Sequence, residues 1–206
     1  GVVGWADLTD AALDETLDRL QKLPGGKKLV GIRHQVHDEA DPDWLLREDV
    51  QRGLTAVFSH DLAYDLLVRS RELPAAIATA QAFPQGRFVL DHVAKPPIAT
   101  GFSKEWADRL AALADSGNVW WKISGLATEA KWDDWDAERL FPYVEHAAKV
   151  FSEDRLIYGS DWPVCLLAGS YADIKAALDA CLTKLGGQAR DKAFGVNAAR
   201  AYRLPR

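Results

Sequence analysis

The chain has 206 residues, of which 48% are hydrophobic and 27% charged, and its formal net charge is −5. This composition is typical of a globular protein, and the absence of a Lys/Arg-rich block gives no reason to expect a nucleic-acid partner. No apolar run approaches the roughly 20 residues that cross a bilayer, so we expect no membrane partner. The 2 cysteines are too few for a disulfide framework, which favours a reducing, cytoplasmic location.

Short apolar segments recur along the chain and predict six β-strands. Each is followed by a stretch with helical spacing of its apolar residues, and the intervals suit βα units rather than hairpins. The predicted strands are residues 2–7, 29–34, 64–68, 87–92, 119–124 and 156–161.

Helix signals occupy the intervals between these strands. Asp41 is a candidate N-cap followed by Pro42 at the first helical position. Ser103 can cap a later helix that ends at Gly117. Further helices are predicted near residues 10–23, 75–83, 136–151, 171–185 and 189–204.

Strict alternation of strands and helices leaves two architectures, a closed barrel or an open doubly wound sheet. The chain lacks the glycine-rich turn of dinucleotide-binding sheets, and polar residues end nearly every strand, which favours an α/β fold of the (β/α)8 TIM-barrel type. The chain has no methionine and begins on a strand-like segment. We therefore expect one barrel domain over residues 1–206 with about six of the eight βα units, lacking the first two.

Two strand ends are the candidate catalytic positions. Asp161 ends the sixth predicted strand, where a carboxylate can activate water or bind a divalent metal, with helix capping as the structural alternative. His92 ends the fourth strand and can ligate a metal or polarise a carbonyl oxygen, unless it is a hydrogen-bonded core residue. Because barrel strand ends converge on one mouth, we predict that both residues are catalytic and that both are candidate metal ligands.

Four further side chains are predicted to bind substrate. Of Arg33 and His34 only one can face the barrel interior, and Arg33 would bind a carboxylate or lactone oxygen there. Lys122 lies in an apolar strand and must reach a pocket, a carboxylate or water at the rim. Asp65 can line the mouth or act as a local cap, and Trp162 offers an aromatic face to a sugar ring or planar lactone if it is not core.

Several motifs occur in an order that resembles a known family. They are Gly-Ile-Arg-His at 31–34, Leu-Asp-His-Val-Ala-Lys-Pro at 90–96, Trp-Lys-Ile-Ser-Gly at 121–125 and Tyr-Gly-Ser-Asp-Trp-Pro-Val-Cys at 158–165. The chain resembles the amidohydrolase-related proteins of the sugar-lactonase type, within the metal-dependent hydrolase superfamily. The resemblance implies that Asp161 acts on the hydrolytic water, that His92 binds metal or polarises the carbonyl, and that Arg33 contacts the substrate.

The family begins with a strand that ends in a His-x-His pair, and this chain contains no such pair, so residues 1–8 would correspond to the third barrel strand. The implied cofactor is one divalent metal such as zinc, or none. The predicted function is hydrolysis of a sugar-derived lactone to the aldonic acid. The alternatives are metal-dependent decarboxylation of an aromatic acid and a catalytically incomplete barrel fragment. The predicted partner is the small-molecule lactone, and the possibility of a homo-oligomer is left open.

Overall fold

A computed structural model describes residues 1–204, and one parallel six-stranded sheet lies at its centre. The strand order is β1-β2-β3-β4-β5-β6, the order of the sequence. All six predicted strands are confirmed, and most end before the predicted residue because the chain turns at its polar end. The strands are β1 Val2–Gly4, β2 Leu29–His34, β3 Ala63–Leu66, β4 Phe88–Leu90, β5 Val119–Ile123 and β6 Leu156–Tyr158.

Helices connect the strands in the described part of the chain. Ser103 caps α4 as predicted, because its hydroxyl accepts the backbone N–H of Trp106. The helices are α1 Leu13–Lys22, α2 Glu48–Ser59, α3 Leu73–Ala82, α4 Lys104–Ala114, α5 Leu126–Glu129, α6 Ala137–Phe151, α7 Tyr171–Leu185, α8 Ala189–Asp191 and α9 Asn197–Ala201.

The predicted helix start at Asp41 is wrong. The chain after Asp41 forms a turn and then a 3₁₀ segment at Trp44–Leu46. Arg47 then adopts an extended conformation (φ −60°, ψ 140°), which separates this segment from α2. The cap signal was local, whereas burial of Trp44 and Leu45 in the core decides the path of the chain.

The sheet curls into a half-barrel with the helices on its outer face, matching part of a TIM-type barrel. The main core lies between sheet and helices and includes Trp106, Trp121 and Phe151. A second, smaller apolar cluster is formed by Ala63, Val89, Ile157, Ala201 and Tyr202. No helix within residues 1–204 is long and apolar enough to span a membrane.

The strand register decides which polar side chains share the concave face. Arg33 of β2 is paired with Asp65 of β3, and Lys122 of β5 is paired with Ile157 of β6. Since neighbours in a parallel sheet point the same way, these side chains lie on the face of the smaller cluster. His34 points to the other face, where its ring stacks on Trp44 with centroids 4.5 Å apart.

Candidate active site

A cavity of about 320 Å³ opens at the carboxyl ends of the strands. This volume lies at the lower end of the range of small-molecule sites. Larger grooves, such as one of about 760 Å³ between α6 and α7, lie on the helices and away from these strand ends. The cavity is lined by Arg33, Asp91, His92, Lys122, Ser124, Tyr158, Gly159, Ser160, Asp161, Trp162, Pro163 and Val164.

His92 enters the cavity because β4 stops at Leu90 and the chain turns sharply. Residues 92–95 all have positive φ, which places four successive non-glycine residues in the left-handed region. The backbone N–H of Lys95 donates to the carbonyl of His92 (2.8 Å), and the buried Trp106 indole donates to the carbonyl of Val93 (2.8 Å). These bonds hold the buried imidazole at the strand end.

Ser124 and Gly125 support His92 from the end of β5. The Ser124 hydroxyl lies 2.8 Å from His92 Nδ1. A Cβ atom at Gly125 would lie 2.8 Å from the His92 ring, and Gly125 has a φ of +64°. Only glycine therefore allows the ring to approach this turn and reach Ser124.

Asp161 lies in the loop after β6, and its carboxylate faces the histidine. Asp161 Oδ1 is 3.5 Å from His92 Nε2. The backbone carbonyl of Asp161 accepts the N–H of Cys165 (2.8 Å), which fixes the loop, and Asp161 has a φ of 58°. As with His92, a left-handed backbone aims the side chain, a kind of strain that concentrates at functional sites.

Burial moves the pKa values of these two groups in opposite directions. Desolvation raises the pKa of Asp161 to about 6, with the charge of Asp91 adding to it. Desolvation lowers the pKa of His92 to about 4, against the pull of Asp91. At neutral pH the pair is therefore a carboxylate beside an uncharged imidazole.

A network of charged side chains lies next to Asp161 and His92 on the concave face of the sheet. Lys122 Nζ lies 2.5 Å from Asp65 Oδ2 and 2.7 Å from Asp91 Oδ1, and Arg33 donates to Asp91 Oδ2 at 2.9 Å. Burial opposes the charge of Lys122, but the two carboxylates outweigh it and raise the pKa of the ammonium above its ordinary value. Lys122 therefore stays charged at the edge of the cavity.

The structure brings most of the sequence-predicted residues together. Arg33, His92, Lys122, Asp161 and Trp162 all line the cavity, and Trp162 is 63% exposed. Asp65, in contrast, is fully buried and does not line it. The prediction that Asp65 contacts the substrate directly is therefore corrected, because Lys122 and Tyr202 enclose its carboxylate.

Sequence reasoning missed Asp91, Ser124 and Tyr202. Asp91 adjoins His92, and strand alternation would have placed the two on opposite faces had β4 continued. A hydroxyl at the end of an apolar strand was the available signal for Ser124. Tyr202 meets Asp65 across 137 positions of the chain, and no local pattern indicates that contact.

The metal prediction is met only in part by the residues present. His92 Nε2 and Asp161 Oδ1 face each other as two candidate ligands. Within residues 1–204, however, no group of three or more His, Cys, Asp or Glu side chains could hold a metal ion. A zinc site usually takes three or four protein ligands. The described residues therefore do not form a complete metal site.

Comparison with known proteins identifies relatives along the whole described chain. L-fucono-1,5-lactonase of Burkholderia ambifaria is 44% identical, and the match covers 100% of this chain and 71% of that protein. L-fucono-1,5-lactonase of Burkholderia multivorans is 36% identical, over 99% of this chain and 71% of that protein. The crystal structure of an amidohydrolase from Burkholderia multivorans with bound zinc superposes with a TM-score of 0.91 at 36% identity, covering 100% of this chain and 74% of that one.

A family model described as amidohydrolase matches residues 1–204. The six-stranded half-barrel, the polar strand ends and these relatives agree, so the chain belongs to the amidohydrolase family.

Proposed function

We propose that the chain hydrolyses a sugar-derived lactone to its aldonic acid, with Asp161 as general base. The lactonase relatives support lactone hydrolysis. The observation on which the mechanism rests is the desolvated Asp161 carboxylate, 3.5 Å from His92 in the cavity at the strand ends.

Asp161 suits the role of base because burial raises its pKa to about 6. A carboxylate with this pKa is ionised at neutral pH and takes a proton more readily than an ordinary one. In the proposed step it removes a proton from water as the water oxygen attacks the lactone carbonyl carbon.

His92 acts as an uncharged hydrogen-bond donor in this proposal. Because the ionised Asp161 carboxylate that faces Nε2 can only accept a hydrogen bond, we place the ring proton on Nε2, and Nδ1 then accepts the Ser124 hydroxyl. Nε2–H can then donate to the substrate carbonyl oxygen as negative charge develops there. The guanidinium of Arg33 and the ammonium of Lys122 add positive charge to the same cavity.

The reaction balances without a further reactant. Water adds to the carbonyl carbon, the ester C–O bond breaks, and the ring oxygen takes the proton held by Asp161. The resulting carboxylic acid ionises at neutral pH, so each ring opened releases one proton. The two carboxyl oxygens of the product are the former carbonyl oxygen and the water oxygen.

For the substrate we propose a six-carbon sugar 1,5-lactone, with L-fucono-1,5-lactone as the first compound to test. The exposed indole of Trp162 at the cavity edge supports this choice, because aromatic faces pack on the apolar face of sugar rings. Decarboxylation of an aromatic acid is the alternative, and release of carbon dioxide would distinguish it.

Three finer predictions stay proposals for this protein. The first is one divalent metal, with His92 and Asp161 as two of its ligands and further ligands completing the site, which metal analysis of the purified protein tests. A cytoplasmic location is tested by cell fractionation. Assembly of identical chains is tested by light scattering.

The proposed function is tested with L-fucono-1,5-lactone and a pH indicator. Wild-type protein should release one proton per lactone, and Asp161→Asn should lower kcat by about 10²- to 10⁴-fold, the usual contribution of a general base. Asp108→Asn changes an exposed carboxylate on α4 in the same way and should leave kcat unchanged. Undiminished turnover by Asp161→Asn would contradict the assigned base.

A further inference from the structure

Tyr202 follows α9 near the C-terminal end of the chain. It nevertheless contacts Asp65, one of the charged residues that lie beneath the cavity. Its ring belongs to the smaller apolar cluster with Ala63, Val89 and Ile157. Its buried hydroxyl lies 2.9 Å from Asp65 Oδ1 and 2.8 Å from Asp65 Oδ2 and donates a hydrogen bond to this carboxylate.

Asp65 links this hydroxyl to the active site. Its carboxylate is fully buried, and Oδ2 also receives Lys122 Nζ at 2.5 Å. The same ammonium lies 2.7 Å from Asp91 Oδ1, and Asp91 Oδ2 accepts Arg33. Tyr202, Asp65 and Lys122 thus form a continuous path from the tail helix to the cavity.

The hydroxyl is needed because a buried carboxylate requires a donor for each oxygen. Among the hydrogen bonds of residues 1–204, Oδ1 of Asp65 receives only Tyr202. Without the hydroxyl, the carboxylate would either turn both oxygens toward Lys122 or take a proton. Each response changes the position of the Lys122 ammonium relative to the cavity.

We propose that Tyr202 is a positioning residue for hydrolysis, acting through Asp65 to fix the Lys122 ammonium where the oxyanion develops. The inference rests on the proposed lactone hydrolysis. Neither Asp65 nor Tyr202 contacts the substrate in this proposal. The segment that follows α9 then contributes to the reaction as well as to packing.

The central test is Tyr202→Phe in the full chain, because phenylalanine keeps the ring and removes only the hydroxyl. We expect kcat for L-fucono-1,5-lactone to fall about tenfold while KM changes less than twofold, since an oxyanion forms only after substrate binds. Tyr143→Phe alters a buried tyrosine ring of α6, in the main core, and should leave both constants unchanged. Wild-type constants in Tyr202→Phe would overturn the proposal.

A double-mutant cycle separates positioning from simple destabilisation. If Tyr202 acts only through Asp65, adding Tyr202→Phe to Asp65→Asn should lower kcat no further. Losses that multiply in the double variant would overturn the path. Circular dichroism on each variant confirms that it folds.

An activity-free measurement keeps this proposal distinct from the proposed function. The rate at which acetic anhydride labels Lys122, read by mass spectrometry, should rise severalfold in Tyr202→Phe and stay at the wild-type value in Tyr143→Phe. An unchanged labelling rate would overturn the positioning role. Wild-type protein that opens no lactone would overturn the proposed function. The labelling rates would still show whether the Tyr202 hydroxyl holds Lys122 in place through Asp65.

Discussion

Asp161 and His92 share one cavity, and each has the protonation state that the proposed mechanism needs. Burial raises the pKa of the carboxyl to about 6 and lowers that of the imidazole to about 4. Above pH 6 the pair therefore bears one negative charge, located on Asp161. The same desolvation makes the carboxylate a stronger base and keeps the imidazole an uncharged donor.

The pKa of Asp161 predicts the acid side of the pH profile. Because only the ionised carboxylate accepts a proton, kcat/KM should rise with pH and level off above a midpoint near 6. Below that midpoint it should fall about tenfold per pH unit. Initial rates in a pH-stat, corrected for spontaneous opening, measure this profile. A midpoint near 4, the ordinary value for a carboxyl group, would contradict a desolvated base.

The turn after β4 shows how a secondary-structure element builds the site. Its four residues have φ values of 54°, 50°, 57° and 48°, and each left-handed non-glycine residue costs about 1–2 kcal/mol. Packing of Val93 and Ala94 in the main core and the bond from Trp106 offset this cost. The turn gives His92 a direction that a continued strand could not provide.

Gly125 tests whether the position of His92 depends on the neighbouring element. Gly125→Ala should lower kcat at least tenfold, because its Cβ would meet the His92 ring at 2.8 Å. Gly117→Ala is the matched control, since Gly117 also has positive φ (+77°) but an added Cβ has nothing within 4 Å. Backbone strain should cost both variants about 1–2 kcal/mol of stability. Gly125→Ala should lose more than Gly117→Ala because its Cβ must displace the buried His92 ring, and only Gly125→Ala should lose activity.

Enzyme assays and chemical denaturation on the two variants give these quantities. Equal loss of kcat in both would show that backbone strain, rather than contact with His92, limits the reaction. Wild-type activity in Gly125→Ala would show that the ring can move without cost.

Across the whole molecule, the sequence predicts those features that depend on neighbouring residues, namely the strands and the polar residues at their ends. It does not predict features that depend on contacts between residues far apart in the chain. The six strands follow from apolar runs bounded by turns. The common location of Asp161, His92 and Arg33 follows from parallel strands whose carboxyl ends meet. Each signal lies within a few residues of its strand.

The buried position of Asp65 could not be predicted in the same way. It depends on Tyr202, which reaches the concave face from the tail, and on Lys122, which arrives two strands away. The left-handed turn at residues 92–95 likewise contains no glycine, the residue from which such a turn is usually predicted. Its support comes from Trp106 on the following helix.

Different parts of the molecule should therefore control stability and substrate binding. Phe151 is buried between α6 and the sheet, with its ring 6.2 Å from that of Trp121, and Phe151→Ala should cost about 3–5 kcal/mol of unfolding free energy. Trp162 is 63% exposed at the cavity, and Trp162→Ala should change stability by less than about 0.5 kcal/mol.

Substrate binding should respond in the opposite order to these two changes. Loss of the Trp162 indole should raise KM about three- to tenfold through lost stacking on the sugar ring. Phe151→Ala should leave KM near the wild-type value at a temperature where the variant is folded, because its ring lies in the core behind the sheet. Urea unfolding and steady-state kinetics on both variants measure the four quantities. A raised KM in Phe151→Ala, or an unchanged one in Trp162→Ala, would show that the cavity is not shaped independently of the outer core.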